Sequence, residues 1–244
     1  MTDSTDSTDN PAESIAPQRR NFYGRVHGKT LKPAQRQALA EDLPALRLRG
    51  VTRADNLARK ALDLSVLPGS EGAPIWLEVG FGGGEHLAHM AALNPGVRLI
   101  GCDPFVNGVA MALRQMALAG ISNVVLHTGD ARDLMEVLPD ACIARVFLNY
   151  PDPWPKTRHH RRRFVTPDHL RPLARICAPG AEFRVATDIP GYVRQTLNEV
   201  PKAGFDLVAQ GARSWSDWKP TRYEMKALRE GRTPHYMTFR RASV

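Results

Sequence analysis

Cysteine is scarce in this 244-residue sequence, which holds only Cys102, Cys142 and Cys177. Three scattered thiols cannot form the disulfide framework of a small secreted protein, and no pair has the spacing of zinc ligands. We therefore expect no metal and a reducing, cytoplasmic compartment. Long hydrophobic runs are also missing, because none approaches the ~18–20 residues of a membrane-spanning helix. The polar start, MTDSTDSTDN, lacks the basic and apolar regions of a secretory signal. We expect no membrane partner.

Outside the first seventeen positions, acidic residues are fewer than basic residues. Residues 1–17 hold four acids and no lysine or arginine, whereas the whole chain has a net charge of +8, so the remaining residues carry +12. A body this basic favours a polyanionic partner, nucleic acid first; a basic face that serves only solubility is the alternative. We predict a disordered acidic tail over 1–17, a basic N-terminal extension over 18–70 and the main domain over 71–244.

From about residue 74, short apolar runs alternate with helical stretches. Alternation of this kind, with nearly continuous apolar strands, predicts an α/β fold with a doubly wound, mostly parallel sheet and helices on both faces. A closed barrel would need eight strand–helix units, and the sequence has about five. We predict strands at 74–79, 97–102, 123–128, 143–150, 182–187, 205–210 and 235–241, and helices at 34–48, 84–93, 105–119, 131–138, 167–177 and 190–200.

The first predicted strand ends in a glycine-rich turn. Glycine lets the backbone turn sharply and lets a ligand approach the main chain closely. The spacing is not the GxGxxG of dinucleotide-binding folds, because the third glycine would fall at Glu85 or Leu87, so a nicotinamide-dependent oxidoreductase is disfavoured. An acid at position 85, where a helix begins, would also repel a pyrophosphate. The glycines of this loop are Gly80, Gly82 and Gly84.

Three acids accompany these glycines at successive strand ends. Glu78 precedes the loop by two residues, Asp103 follows the second strand and Asp130 follows the third. An acid after the second strand can hold the ribose hydroxyls of an adenosine. Together the acids and glycines suit a nucleoside that carries positive charge and no phosphate, and S-adenosylmethionine is such a molecule. For each acid alone, a surface carboxylate or a helix cap is the alternative.

The segment after the fourth strand combines proline, an acid, tryptophan and arginine. Three prolines stiffen residues 151–155 and fix where Asp152 and Trp154 point. Five cations follow with no acid among them, which suits a nucleic-acid backbone beside an unstacked base. A solvated charged face is the alternative for the cations, and core packing is the alternative for Trp154. The cations are Lys156, Arg158, Arg161, Arg162 and Arg163.

Four motifs together resemble the bacterial tRNA (guanine-N7)-methyltransferases, over roughly residues 20–241. They are GFGGG after Glu78, DPWPKTRHHRRR at 152–163, Ala186-Thr187-Asp188 and the late KPTRYE at 219–224. The resemblance implies a Rossmann-like class I methyltransferase domain over 71–244. It also implies S-adenosylmethionine as methyl donor, tRNA as partner, and methylation of guanine 46 in the variable loop at N7.

The resemblance also implies roles for individual residues. Asp152 is similar to the catalytic residue of the family. The implied cofactor-binding residues are Glu78, Gly80, Gly82, Gly84, Asp103, Asp130 and Asp152, and the implied substrate-binding residues are Lys156, Asp188, Thr221, Arg222, Tyr223 and Glu224. The sequence departs from the family pattern at Asp103, where Glu is usual, and at Arg222 and Tyr223, where Lys and Phe are usual. It departs most after Glu224.

Two other functions remain open at this point. One is an exocyclic-amine methyltransferase, because Asn149-Tyr150-Pro151 partly resembles the Asn-Pro-Pro-Tyr loop of amino-group methylases. The other is a non-catalytic RNA-binding module that keeps a vestigial cofactor fold. The intact glycines and acids argue against this second alternative.

Overall fold

The computed structural model describes residues 22–243, so the predicted acidic tail over 1–17 lies outside the described residues. Seven strands form one sheet: β1 (Ile75–Val79), β2 (Arg98–Cys102), β3 (Val124–His127), β4 (Ile143–Asn149), β5 (Cys177–Thr187), β6 (Phe205–Gly211) and β7 (His235–Arg241). Their order is β3-β2-β1-β4-β5-β7-β6. The first five strands pair in parallel, and β7 is antiparallel to both β5 and β6. The predicted doubly wound, mostly parallel sheet is confirmed.

The central strands form because both faces of the sheet are covered. All five residues of β1 and all five of β2 are buried, which is the pattern of a parallel sheet between two helical layers. Strand β5 begins five residues earlier than the predicted 182. Cys177 pairs with Ile143, and the register with β4 then shifts by an irregularity before Arg145 pairs with Glu182. The long β5 therefore follows from non-local pairing rather than from its own sequence.

Eight α-helices occur among the described residues. They are α1 (Pro33–Glu41), α2 (Leu43–Leu46), α3 (Glu85–Leu93), α4 (Val106–Leu118), α5 (Ala131–Val137), α6 (Pro167–Ile176), α7 (Pro190–Glu199) and α8 (Arg222–Arg229). The single helix predicted over 34–48 is wrong, because it is two helices. Pro44 has no N–H to continue the ladder of α1, whereas the first turn of α2 tolerates it.

Two hydrophobic clusters fill the space between the sheet and its helices. One holds Leu134 of α5, Leu170 of α6 and Tyr192 of α7. The other holds Leu87 of α3 and Leu113 of α4. This arrangement leaves the carboxyl ends of the parallel strands open at one edge of the sheet. None of the helices between residues 22 and 243 has the length and hydrophobicity that crossing a bilayer requires.

The segment between β6 and α8 covers part of the sheet without a helix. Arg184 of β5 lies over the ring of Trp215 at 5.0 Å and makes two hydrogen bonds to the Asp217 carboxylate, at 2.7 and 2.9 Å. The indole N–H of Trp215 donates to Oγ1 of Thr238 in β7 at 2.8 Å. These contacts fix the segment on the sheet and so determine where α8 begins.

Candidate active site

A cavity of about 750 Å³ opens at the carboxyl ends of β1–β4. Its size lies within the range of small-molecule sites, roughly 300–1,000 Å³. In open α/β sheets this edge is where ligands bind. The lining comes from five parts of the chain: the strand ends, the loop after β4, the start of α6, Tyr223 of α8 and residues 22–25 of the N-terminal extension.

The glycine loop presents its backbone to this cavity. Gly80 and Gly82 both line it, with φ of +75° and +57°, values that side chains other than glycine rarely adopt. A Cβ at Gly80 would meet no atom within 4 Å, so the space beside this backbone is open. Gly84 does not line the cavity. It precedes α3 and packs against α4, where a Cβ would come within 2.5 Å of Ala112.

Asp103 links the glycine loop to the end of β2. One carboxylate oxygen accepts from the Gly82 N–H at 2.7 Å, and the other accepts from the Phe105 N–H at 2.8 Å. Burial raises the pKa of Asp103 to about 6, although both backbone hydrogen bonds act in the opposite direction. Asp103 lines the cavity, so it offers a carboxylate whose charge changes near neutral pH.

Asp130 lines the cavity at the end of β3 and caps α5. Its Oδ1 accepts from the Arg132 N–H at 2.9 Å, and the Arg132 guanidinium Nε lies 2.9–3.0 Å from both carboxylate oxygens. Burial alone would raise the pKa of Asp130, but hydrogen bonds from Arg132 and its charge outweigh this effect and lower the pKa. Asp130 is therefore an ionised group that already has a cationic neighbour.

Glu78 lies behind the cavity rather than on its wall. The residue is 2% exposed, and its Oε2 lies 2.9 Å from Nδ1 of His86. Its Oε1 accepts from the Asn149 side-chain amide at 3.5 Å. Of the four acids selected from the sequence, Asp103, Asp130 and Asp152 line the cavity and Glu78 does not. Its contact with a cofactor stays a prediction.

The loop after β4 brings Asp152 to the cavity. Tyr150 and Trp154, on either side of it, have φ of +47° and +39°. Both are strained values for large side chains, so the surrounding contacts must hold the loop in this shape. Partial burial raises the pKa of Asp152, and the positive charge of Arg25 opposes this rise.

Arg163 is the buried brace of this loop. Its guanidinium donates to the backbone oxygens of Pro153 at 2.9 Å, Gly191 at 3.0 Å and Trp154 at 3.3 Å, and to the side-chain oxygen of Gln195 at 2.9 Å. The expectation that Arg163 belongs to a nucleic-acid-binding run is therefore wrong, because it is 2% exposed. Arg161 remains exposed and borders the cavity.

The N-terminal extension reaches the same loop. The Arg162 guanidinium contacts two rings, at 4.5 Å from the centroid of Tyr23 and 4.9 Å from that of Trp154. Phe22, Tyr23 and Arg25 line the cavity. The sequence analysis did not find these residues. No local signal could have shown them, since the contact joins segments far apart in the chain.

The predicted substrate-binding block at 221–224 forms the start of α8. The Thr221 hydroxyl oxygen accepts from the Glu224 N–H at 3.3 Å, so Thr221 caps the helix. The two Glu224 carboxylate oxygens accept from the Trp218 indole N–H and the Tyr236 hydroxyl, each at 2.6 Å. Thr221 and Glu224 are both buried, and neither lines the cavity.

The other two residues of this block dock α8 on the glycine loop. Arg222 forms an ion pair with Glu85 at 2.6 Å, and its Nη2 lies 1.4 Å from where a Cβ at Gly83 would be. The Tyr223 ring lies 3.3 Å from where a Cβ at Gly82 would be, and Tyr223 lines the cavity. The other predicted substrate residues lie outside the lining: Lys156 is exposed, and Asp188 pairs with Arg232.

The fold is that of a class I methyltransferase. Its marks are the strand order, the antiparallel β7 between β5 and β6, and a carboxylate-lined cavity at the strand ends. Solved structures agree. The 16S rRNA methyltransferase KamB has a TM-score of 0.53 at 18% identity, covering 70% of this chain and 88% of that one. A second structure, an antibiotic-related methyltransferase, has a TM-score of 0.50 at 18% identity, covering 76% and 98%. At these identities the likeness concerns the fold alone.

Sequence relatives are much closer. A family model described as a putative methyltransferase matches residues 72–237. A protein of Paracoccus denitrificans named tRNA (guanine-N(7)-)-methyltransferase is 66% identical over 227 residues, covering 93% of this chain and 97% of its own length. Relatives of the same name in Cereibacter sphaeroides and Rhodospirillum rubrum are 63% and 44% identical, covering 96% and 90% of this chain and 99% and 87% of their own lengths. The chain belongs to the tRNA (guanine-N7)-methyltransferase family and is a methyltransferase.

Proposed function

We propose that this enzyme transfers a methyl group from S-adenosylmethionine to N7 of guanine 46 in the variable loop of tRNA, in the cytoplasm. One observation carries the proposal: Gly80, Gly82, Asp103 and Asp130 share a cavity with Asp152 on the adjoining loop. The names of the relatives support guanine N7 and tRNA. Position 46 and the identity of the donor rest on the family resemblance.

The residues that line the cavity fit such a donor. Its sulfonium and ammonium groups are cations, and the carboxylates of Asp103, Asp130 and Asp152 face the same space. Open backbone beside Gly80 leaves room for a nucleoside to approach the main chain. Asp103, at the end of β2, has the position of an acid that holds ribose hydroxyls. Asp130, at the end of β3, lies where it can reach an adenine edge.

For this reaction the protein has to orient the guanine against the methyl group and stabilise the positive charge that the purine gains. S-adenosylmethionine supplies an electrophilic methyl group on a positively charged sulfur. Guanine N7 attacks with the lone pair in its ring plane, so no proton has to be removed; the N7–C bond forms as the C–S bond breaks. Positive charge moves onto the purine, and a nearby carboxylate stabilises it.

Asp152 is the group we assign to this role. A carboxylate beside the guanine can also accept hydrogen bonds from N1–H and the N2 amine, a donor pair that adenine lacks. Asp152 would then select the base and stabilise the product charge at once. The strained loop and the buried Arg163 brace hold this side chain at the cavity, which favours a fixed orientation.

The decisive experiment is methylation of two tRNA transcripts with labelled donor, one unmodified and one in which adenine replaces the guanine at tRNA position 46. We expect 7-methylguanosine in the first transcript, with borohydride and aniline cleaving the chain at that position, and no label in the second. An N-methylated amine as product would favour the exocyclic-amine reaction. The exocyclic-amine alternative depends on Asn149, and Asn149 does not line the cavity. Failure to bind the donor in calorimetry would refute the proposal.

A further inference from the structure

The N-terminal extension contains a run of exposed cations that the catalytic cavity does not explain. Between residues 22 and 40 there is no Asp or Glu. We call residues 25–36 the basic track. Its cations are all exposed: Arg25, Lys29, Lys32 and Arg36.

The basic track is held against α4 although its side chains face solvent. The Val106 N–H donates to the Val26 carbonyl at 2.9 Å. Asn107 uses both ends of its side-chain amide: the oxygen accepts from the Gly28 N–H at 2.7 Å, and the nitrogen donates to the Lys29 carbonyl at 2.7 Å. A Cβ at Gly28 would come within 2.9 Å of that amide oxygen. The path of residues 26–29 is therefore fixed by the first turn of α4.

The cations of the basic track differ from other exposed cations of the described segment in their ion pairing. None of the four forms an ion pair within residues 22–243, whereas exposed cations elsewhere in that range do, such as Arg53 with Glu136 at 3.5 Å and Lys202 with Glu199 at 2.9 Å. Arg25 interacts with the charge of Asp152 across the cavity, whereas Lys29, Lys32 and Arg36 lie on a segment with no acid. Like charges on such a segment repel one another, and binding of a polyanion would relieve that repulsion.

The basic track begins at the cavity and leads away from it. Arg25 lines the cavity together with Asp152 and Arg161. From Arg25 to Lys32 the chain can extend up to about 23 Å, and Arg36 lies one helical turn further on. Phosphates of one strand are spaced at ~3.4 Å along a duplex axis. A segment of at most this length can contact a few nucleotides next to a target base that enters the cavity.

We propose that the basic track binds the phosphate backbone of the substrate RNA outside the catalytic cavity. The inference rests on the proposed function, because it takes the RNA to be the methylated tRNA. Contacts of this kind give affinity without base specificity, and they weaken as salt rises because each one releases a counterion.

The test compares two charge-matched triple variants of the full chain. One, Lys29→Gln/Lys32→Gln/Arg36→Gln, neutralises the basic track and spares Arg25 at the cavity. The control, Lys60→Gln/Lys202→Gln/Arg240→Gln, removes the same charge from exposed residues elsewhere. In the register between β5 and β7, Arg240 lies opposite Glu182. This position is far from Thr187, the end of β5 that faces the cavity edge. Binding of unmodified tRNA transcript is measured by fluorescence anisotropy from about 50 to 300 mM salt, and donor binding by calorimetry.

We expect the track variant to bind tRNA about 10-fold more weakly or worse at ~150 mM salt. Its slope of log affinity against log salt should fall by about two to three units, at ~0.9 per lost phosphate contact. Donor affinity should stay unchanged, and Lys29→Arg/Lys32→Arg/Arg36→Lys should restore the slope. Equal slopes for the track and control variants would overturn the proposal, as would loss of binding to anionic vesicles instead of RNA. If wild-type enzyme methylates no tRNA, the proposed function has failed, whatever the slopes.

Discussion

The two halves of the sheet's carboxyl edge use their acidic residues differently. On the β1–β4 side, Asp103, Asp130 and Asp152 all line the cavity. On the β5–β7 side, Glu224 is buried between Trp218 and Tyr236, and Asp188 is paired with Arg232. The same motif-based reasoning selected both sets. The difference shows that a motif acid can face the cavity or hold an element in place, and that the packing around the acid distinguishes the two positions.

Removing Asp152 should give the largest effect on the β1–β4 side. We expect Asp152→Ala to lower kcat by about 10³-fold, or ~4 kcal/mol, the scale of losing one group that stabilises developing charge. Donor binding should remain measurable by calorimetry. Asp168→Ala is the matched control, since Asp168 also lines the cavity but follows no strand end. Near-normal turnover of Asp152→Ala would refute its assigned role.

Removing Glu224 should act on stability. Glu224→Ala leaves the Trp218 N–H and the Tyr236 hydroxyl without their acceptor, so we expect unfolding free energy to fall by about 2–3 kcal/mol in urea titrations. Glu224→Gln, which keeps an acceptor, should recover part of this loss, and Glu230→Ala at the exposed end of α8 should change little. If Glu224→Ala kept wild-type stability but had a greatly raised KM for tRNA, Glu224 would be a substrate contact. The contrast between the two sides of the sheet edge would then be wrong.

Acid should weaken donor binding through Asp103. Its pKa is raised to about 6, so lowering the pH through 6 protonates the carboxyl and removes the charge that attracts a cation. Calorimetry at about pH 7.5 and 5.0 should show affinity about 10-fold lower at the lower pH. Asp103→Asn should bind weakly at both values and lack the pH dependence. If donor binding by Asp103→Asn kept the full pH dependence, a group other than Asp103 would be responsible for it.

The smallest effect should come from Arg161. Because this side chain is exposed at the cavity, Arg161→Ala should raise the tRNA KM a few-fold and lower the salt slope by about one unit. Arg240→Ala is the control. In contrast, Arg163→Ala should destabilise the folded protein, since it breaks the hydrogen bonds that brace the loop. If Arg161→Ala left the salt dependence of tRNA binding unchanged, Arg161 would not contact the phosphate backbone of the tRNA.

The sequence predicted the parallel strands well because each is a short apolar run between turn residues. It missed α8, although Thr221 followed three residues later by Glu224 is a helix-start pattern. The family resemblance implies substrate roles for both residues, which stay predictions, and the structure shows in addition that Thr221 caps α8. The same residues can therefore carry both a helix-start signal and a predicted substrate role.

Other features were beyond sequence reasoning. Arg163 looks like its neighbours in the run at 161–163, and its burial depends on carbonyl and amide oxygens supplied by α7. The approach of Tyr23 to Arg162 likewise depends on how the N-terminal segment crosses the fold. Such contacts join distant parts of the chain and leave no local pattern.

The most direct test of the account is a crystal structure of the full chain with S-adenosylmethionine. We predict the donor over the carboxyl ends of β1–β4, with its ribose against Asp103, its adenine near Asp130 and its methyl group facing the side of the cavity that holds Asp152. A donor seated anywhere else, or one whose methyl group is shielded from Asp152, would contradict the account.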